Sequence, residues 1–219
     1  MTINTILFDL DGTLYPNNNP ISAAIDVLMT RYVQRLLGLQ DPQEAIKLRQ
    51  SNLAKYGMTL NWLIQEHGID PDDYMRFCHN IDYHEFFQAD NALNEQLATL
   101  QGRKIIFTNA PSEHAETVLS LLGIRQHFEQ IFDIRYNNWR GKPHKEAYTR
   151  LLDAIACRAH ECVLIEDSAR NLPVAKELGM STIFIGNGPI EAADFVADSI
   201  YKALPYIQKL QEQTASPIV

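Results

Sequence analysis

The feature that most restricts this chain is an interval. Asp11, just past the first strand-like run, and Lys104, at the start of the second, lie 93 positions apart, whereas a strand-helix-strand unit needs only about 30 residues. Sequence on either side is regular. Thr5-Ile6-Leu7-Phe8 precedes the interval; Lys104-Ile105-Ile106-Phe107, Ile131-Phe132-Asp133-Ile134, Cys162-Val163-Leu164-Ile165 and Thr182-Ile183-Phe184-Ile185 follow it. Short β-branched and aliphatic runs of this kind read as buried strands. Between the later runs fall helical patterns: Val118, Leu119 and Leu122 stopped by Gly123, then Tyr148, Leu151, Leu152 and Ile155, then Leu172, Ala175 and Leu178 stopped by Gly179. Buried strands alternating with helices predict a parallel sheet covered on both faces. Something has been inserted into its first crossover.

The insert carries no strand pattern. Ile21, Ile25, Leu28, Met29, Tyr32, Val33 and Leu36 recur at three- and four-residue steps, the stripe of an amphipathic helix. Asp41-Pro42 and Asp70-Pro71 each read as an N-cap followed by proline at the first helical position, and Thr59 reads as the cap of a helix carrying Leu60, Leu63 and Ile64. The expected division is an α/β core of residues 1–15 and 85–219 with a helical insert of residues 16–84. The entry, Pro16-Asn17-Asn18-Asn19-Pro20, is turn chemistry suited to a hinge. The tail from Gln211 is expected to fray.

Charge excludes some partners. With 27 acidic against 19 basic residues the net charge is −8, so there is no broad electrostatic footprint for a nucleic-acid polymer or an anionic membrane, and an anionic small molecule would need a local positive site. No apolar run reaches about 18 residues, and Met1-Thr2-Ile3-Asn4 has no signal-peptide character; a cytoplasmic location is expected. Cys78, Cys157 and Cys162 make no complete disulfide framework. Cys157, His160 and Cys162 lack a fourth ligand at zinc spacing, and buried thiols are the preferred reading. Gly186-Asn187-Gly188 lacks the third glycine of a dinucleotide fingerprint, and neither a Walker loop nor a Gly-x-Ser-x-Gly elbow occurs.

The chemistry concentrates at strand ends. In Phe8-Asp9-Leu10-Asp11-Gly12-Thr13 an apolar strand runs into two carboxylates one residue apart. In extended backbone they face the same way, beyond the carboxyl end of the strand where open parallel sheets bind ligands. Juxtaposed carboxylates repel, which raises a pKa or recruits a hard cation, Mg²⁺ above all. Glu166-Asp167 ends another expected strand. Thr108-Asn109-Ala110 follows a third, offering a hydroxyl and backbone N–H groups before a helix opened by Pro111-Ser112, a setting that favours phosphate. Gly141-Lys142-Pro143 adds a cation. Each has an ordinary reading when taken alone: a turn, an exposed acidic dipeptide, a helix cap, a solvated lysine.

In order, Asp9-Leu10-Asp11-Gly12-Thr13, Thr108-Asn109, Lys142-Pro143 and Glu166-Asp167-Ser168 resemble the four motifs of the haloacid dehalogenase superfamily, in its phosphatase-type members. Asn171 departs from the pattern, since many members carry an acid there. The resemblance implies a Rossmann-like core with a helical cap. It implies Asp9 as nucleophile forming an aspartyl-phosphate, and Asp11 as acid and base, which requires a proton near neutral pH against an ordinary pKa of about 3.9. It further implies Mg²⁺ held by Asp9, the Asp11 carbonyl and Asp167, with Glu166 as a direct or indirect partner. Thr108, Asn109 and Lys142 are expected to grip phosphate. A halide-releasing branch is disfavoured, because such enzymes lack the second aspartate.

Tyr15-Pro16, Gly57-Met58-Thr59-Leu60 and Thr108-Asn109-Ala110 with His114 resemble the pyrimidine 5′-nucleotidase branch. That implies a small phosphorylated metabolite of the UMP or CMP type, with Tyr15, Met58 and Trp62 as candidates to pack on the base. A sugar-phosphate phosphatase or phosphomutase uses the same core. A receiver-like phospho-aspartate module is a rival from another class, against which the insert argues. Oligomeric state is left open.

Overall fold

The computed structural model describes residues 3–215. The reading of the extreme N-terminus falls partly on residues 1 and 2, and that of the tail partly on residues 216–219; both lie outside the described residues. Among the described residues eight strands, β1 (Thr5–Phe8), β2 (Asp11–Gly12), β3 (Tyr15–Pro16), β4 (Arg103–Phe107), β5 (Gln130–Phe132), β6 (Cys162–Glu166), β7 (Ser181–Ile185) and β8 (Phe195–Ala197), accompany nine α-helices. In chain order these are α1 (Pro20–Leu37), α2 (Pro42–Tyr56), α3 (Thr59–His67), α4 (Pro71–Cys78), α5 (Asn91–Thr99), α6 (Ser112–Leu121), α7 (Lys145–Ile155), α8 (Leu172–Leu178) and α9 (Ile200–Ala215). The chain divides into two compact units, Asn19–Phe86 and the remainder.

In the larger unit six parallel strands pair in the order β5-β4-β1-β6-β7-β8. All four β1 residues are buried, because β1 sits inside the sheet with helices over both faces. Leu7, Ile105, Phe107, Cys162 and Leu164 turn one way and form a core with Tyr148 and Leu151 of α7 and Leu172 and Ala175 of α8. Their neighbours Ile6, Phe8, Ile106, Val163 and Ile165 turn the other way and are fully buried too, as the two-residue period of a strand requires. After β1 the chain builds β4 and β5 on one side and then returns to place β6 on the other. The reversal puts a topological switch point at the carboxyl end of β1.

Several elements differ from expectation. The strand expected over 131–134 is Gln130–Phe132, since Asp133 leaves the sheet to accept from the Ser112 amide at the start of α6, the preceding helix. β8, with three residues, is too short to register as a pattern. The tail from Gln211 continues α9 to Ala215. Tyr15 and Pro16 pair with Asp11 and Gly12, so Pro16 stays with the larger unit, and the smaller unit begins at Asn19 rather than 16 and runs to Phe86 rather than 84.

The smaller unit holds α1 to α4. Asn19, Asp41 and Asp70 cap three of these helices by accepting from the amides of Ile21, Gln43 and Asp72, with proline next in line each time. The α3 cap position is Met58, without a side-chain bond, and Thr59 is already helical. The Arg49 guanidinium on α2 reaches Asp26 Oδ1 at 2.6 Å and Thr30 Oγ1 at 2.6 Å on α1. Among the described residues no helix is long and apolar enough to cross a membrane.

Candidate active site

Strand register assembles the site. Phe8 stands opposite Ile106 on one side and Ile165 on the other, so the next residues, Asp9, Phe107-Thr108 and Glu166-Asp167, emerge side by side about 4.8 Å apart per strand. The Asp9 amide donates to the Ile165 carbonyl at 3.0 Å, tying the first carboxylate to the β6 end. Lys142 arrives from the loop before α7 and is 1% exposed. Its ammonium donates to Asp9 Oδ1 and Glu166 Oε2, both at 2.7 Å. One cation therefore bridges two carboxylates that are themselves almost without solvent.

The electrostatics follow. Burial, then the neighbouring Glu166 carboxylate, push Asp9 well above the ordinary aspartate range, with Lys142 pulling the other way. Burial alone would lower Lys142; Asp9 and Glu166 instead hold it above the usual lysine value. Asp167 is pushed up to about 6, chiefly by burial, while the hydrogen bond from Asn17 acts to lower it. Carboxylate oxygens of Asp9, Glu166 and Asp167 all lie within 4.8 Å of one another. Three acids against one lysine leave a local deficit of positive charge, and an all-oxygen donor set of this kind fits a hard divalent ion.

Both oxygens of Glu166 are engaged. Its Oε2 is taken by Lys142 and its Oε1 accepts from the Ser168 amide at 3.0 Å. Asp167 Oδ2 accepts from Asn17 Nδ2 at 2.7 Å. Gly12 makes room for this contact. Its φ is +79°, and a Cβ there would collide with Asn17 Oδ1 and Asp167 Oδ2, so glycine is required on both counts.

Thr108 is buried, with its hydroxyl oxygen accepting from the Ala110 amide at 3.0 Å. Asn109 holds the lysine loop: its side-chain Nδ2 donates to the Lys142 carbonyl and its Oδ1 accepts from the Lys142 amide, each at 2.8 Å. A Cβ on Gly141 would run into that Asn109 oxygen. The start of α6 is also partly committed, since the Ser112 amide donates to Asp133 Oδ2 at 3.0 Å rather than facing a ligand. Asp11 Oδ1 meets His114 Nε2 at 2.6 Å and accepts from the Tyr15 hydroxyl.

The expected residues thus divide. Asp9, Lys142, Glu166 and Asp167 come together directly, and Thr108 and Asn109 flank them through β4 and the lysine loop. Tyr15 departs from its expected part in base packing. It belongs to the larger unit, is 4% exposed, sets its ring edge-on to Phe87 and spends its hydroxyl on Asp11, which leaves little ring face to stack. Trp62 is likewise buried, edge-on to His67 within the smaller unit, while Met58 is partly exposed at the α3 cap. Sequence reasoning missed Asn17, and it noted His114 without a role.

The haloacid dehalogenase-like hydrolase family matches residues 3–179. The chain is 25% identical over 193 residues to Phosphate metabolism protein 8 of Saccharomyces cerevisiae, covering 80% of this chain and 59% of that protein's length. It is also 25% identical over 217 residues to the pyrophosphatase PpaX of Halalkalibacterium halodurans, covering 94% and 95% of the two chains. In fold it resembles the crystal structure of a HAD phosphatase from Thermococcus onnurineus, with a TM-score of 0.65 and 19% identity over 95% of this chain and 99% of that one. With two aspartates at the end of β1 and a family match over most of its length, the chain belongs to the haloacid dehalogenase-like hydrolases, among the phosphatase-type members.

Proposed function

We propose that this enzyme hydrolyses phosphomonoesters in two steps through a phosphoryl group carried on Asp9, with Mg²⁺ as cofactor and a pyrimidine nucleoside monophosphate as the substrate class. The observation that carries the reading is the buried Asp9 carboxylate clamped by Lys142 beside Glu166 and Asp167. A carboxylate held in place at the end of a central strand has little freedom left to lose when it attacks a bound phosphoryl group, which lowers the entropic cost of bringing the reactants together.

In the first step an Asp9 oxygen bonds to phosphorus, the bond to the leaving oxygen breaks, and Asp11 gives that oxygen its proton. In the second, Asp11 takes a proton from water as the water oxygen attacks phosphorus, and the Asp9–phosphorus bond breaks to release inorganic phosphate. Lys142 pulls Asp9 toward its ionised form, against burial and the neighbouring Glu166, and aims it. Thr108 and the Asn109 amide hold phosphoryl oxygens, and Asn109 through its side chain fixes the lysine loop. Asp9, Asp167 and the Asp11 carbonyl would hold Mg²⁺, which supplies positive charge against the transferring group when bound.

The nucleotide assignment rests on the motif resemblance around Tyr15, Met58 and His114. With Tyr15 committed to Asp11, Met58 is the partly exposed member of the three candidates for the base. The match to a pyrophosphatase along nearly the whole chain favours a second reading, with pyrophosphate as substrate. Phosphate release from UMP, CMP, hexose phosphates and pyrophosphate, with and without Mg²⁺, separates the readings. Turnover of UMP or CMP above the others supports the nucleotidase, pyrophosphate above all supports the second, and equal rates in Asp9→Asn would end both.

A further inference from the structure

We propose that His114 and Tyr15 are positioning residues that fix the Asp11 carboxyl for proton transfer, a role that rests on the acid–base part given to Asp11 above. Both groups meet the same oxygen, Asp11 Oδ1. The Asp11 side chain is 37% exposed, so a substrate can reach it, whereas that of His114 is 0% exposed. The imidazole stands behind the acid, 103 positions away in sequence, on the first turn of α6, which follows directly from the Thr108-Asn109 segment. Tyr15 approaches from β3, paired with β2 through the contact of Tyr15 with Asp11 in register, and its ring is pinned edge-on to Phe87 at 4.9 Å between centroids.

Two anchors on one oxygen stop rotation about the Cβ–Cγ bond. They do so whichever atom carries the proton shared between Asp11 and His114. A half-exposed carboxyl would otherwise sample several rotamers, and proton transfer requires hydrogen-bond distance and alignment at the moment of bond cleavage. A fully buried histidine on a carboxylate beside a nucleophile is thereby given work that neither metal nor phosphate binding assigns it.

Leaving-group dependence tests this. kcat/KM reports events up to the first irreversible step, phosphoryl transfer to Asp9. There an alkoxide leaving group needs a proton from Asp11 and p-nitrophenolate needs little. The probes are p-nitrophenyl phosphate and the best-hydrolysed alkyl phosphomonoester of the panel above. His114→Ala is expected to lower kcat/KM for the alkyl ester by about tenfold or more and for the aryl ester by about threefold or less, with His114→Gln recovering part of the alkyl rate. Tyr15→Phe, which keeps the ring on Phe87, should show the same selectivity and carries the comparison if His114→Ala does not fold. Equal losses for both esters, or none, would overturn the proposal alone. Asp9→Asn is run alongside: wild-type turnover there would remove the two-step reading, and this proposal with it.

Discussion

Replacing Lys142 by methionine isolates the electrostatics of the site. The ammonium makes two contacts of 2.7 Å to carboxylates, with Lys142 and Glu166 each 1% exposed. A hydrogen bond to a charged group contributes about 1.5–3 kcal/mol, and removing one partner of a buried ion pair costs about 3–5 kcal/mol, because the remaining charge stays buried and unpaired. Methionine nearly preserves the volume, so packing contributes little. The expected loss in metal-free protein is therefore about 3–5 kcal/mol in neutral to mildly basic solution. It should shrink on acidification. Asp9 in the fold already sits above its ordinary value and rises further without the ammonium. A group raised on folding contributes stability that is present below its unfolded pKa and lost as pH rises through the folded one. A proton thus substitutes for the lysine in acid. Urea unfolding of both proteins with chelator, near pH 5 and near pH 8, reads the difference directly. A loss below about 1 kcal/mol near pH 8, or the same loss at both pH values, would refute the reasoning.

Other expectations follow from single contacts. Gly12→Ala should lose at least about 1–2 kcal/mol from the left-handed backbone and weaken Mg²⁺ binding by displacing Asp167, both readable from thermal unfolding with and without Mg²⁺. Asp167, raised to about 6, should cost metal-free protein stability as pH climbs from its unfolded value through about 6. Asp167→Asn should flatten that part of the unfolding profile and abolish stabilisation by Mg²⁺. Asn109→Ala frees both ends of the Lys142 peptide contact and is expected to lower kcat/KM by up to about 100-fold, with a much smaller change in melting temperature.

The strand ends were legible because they depend on local pattern. A buried run followed by Asp9-x-Asp11, and another followed by Glu166-Asp167, announce where carboxylates leave the sheet, and the interval before Lys104 announces an insertion. What joins those ends is not local. Asn17 with Asp167 spans 150 positions and His114 with Asp11 spans 103, and no residue pattern encodes such a pairing until the sheet order is known. Tyr15 was misread for a related reason. The motif resemblance made Tyr15 a candidate to pack on a base, but the β2–β3 pairing turns its hydroxyl onto Asp11. Likewise Asp133 looked like part of a strand, and only the position of α6 shows that it caps the Ser112 amide.

The claim beneath the whole account is that Asp9 carries the phosphoryl group. Acid-quenched enzyme taken during turnover, reduced with borohydride and digested, should contain homoserine in place of aspartate at position 9, since borohydride reduces an acyl phosphate and leaves a free carboxylate alone. Homoserine elsewhere in the chain, or none while phosphate is being released, would contradict it.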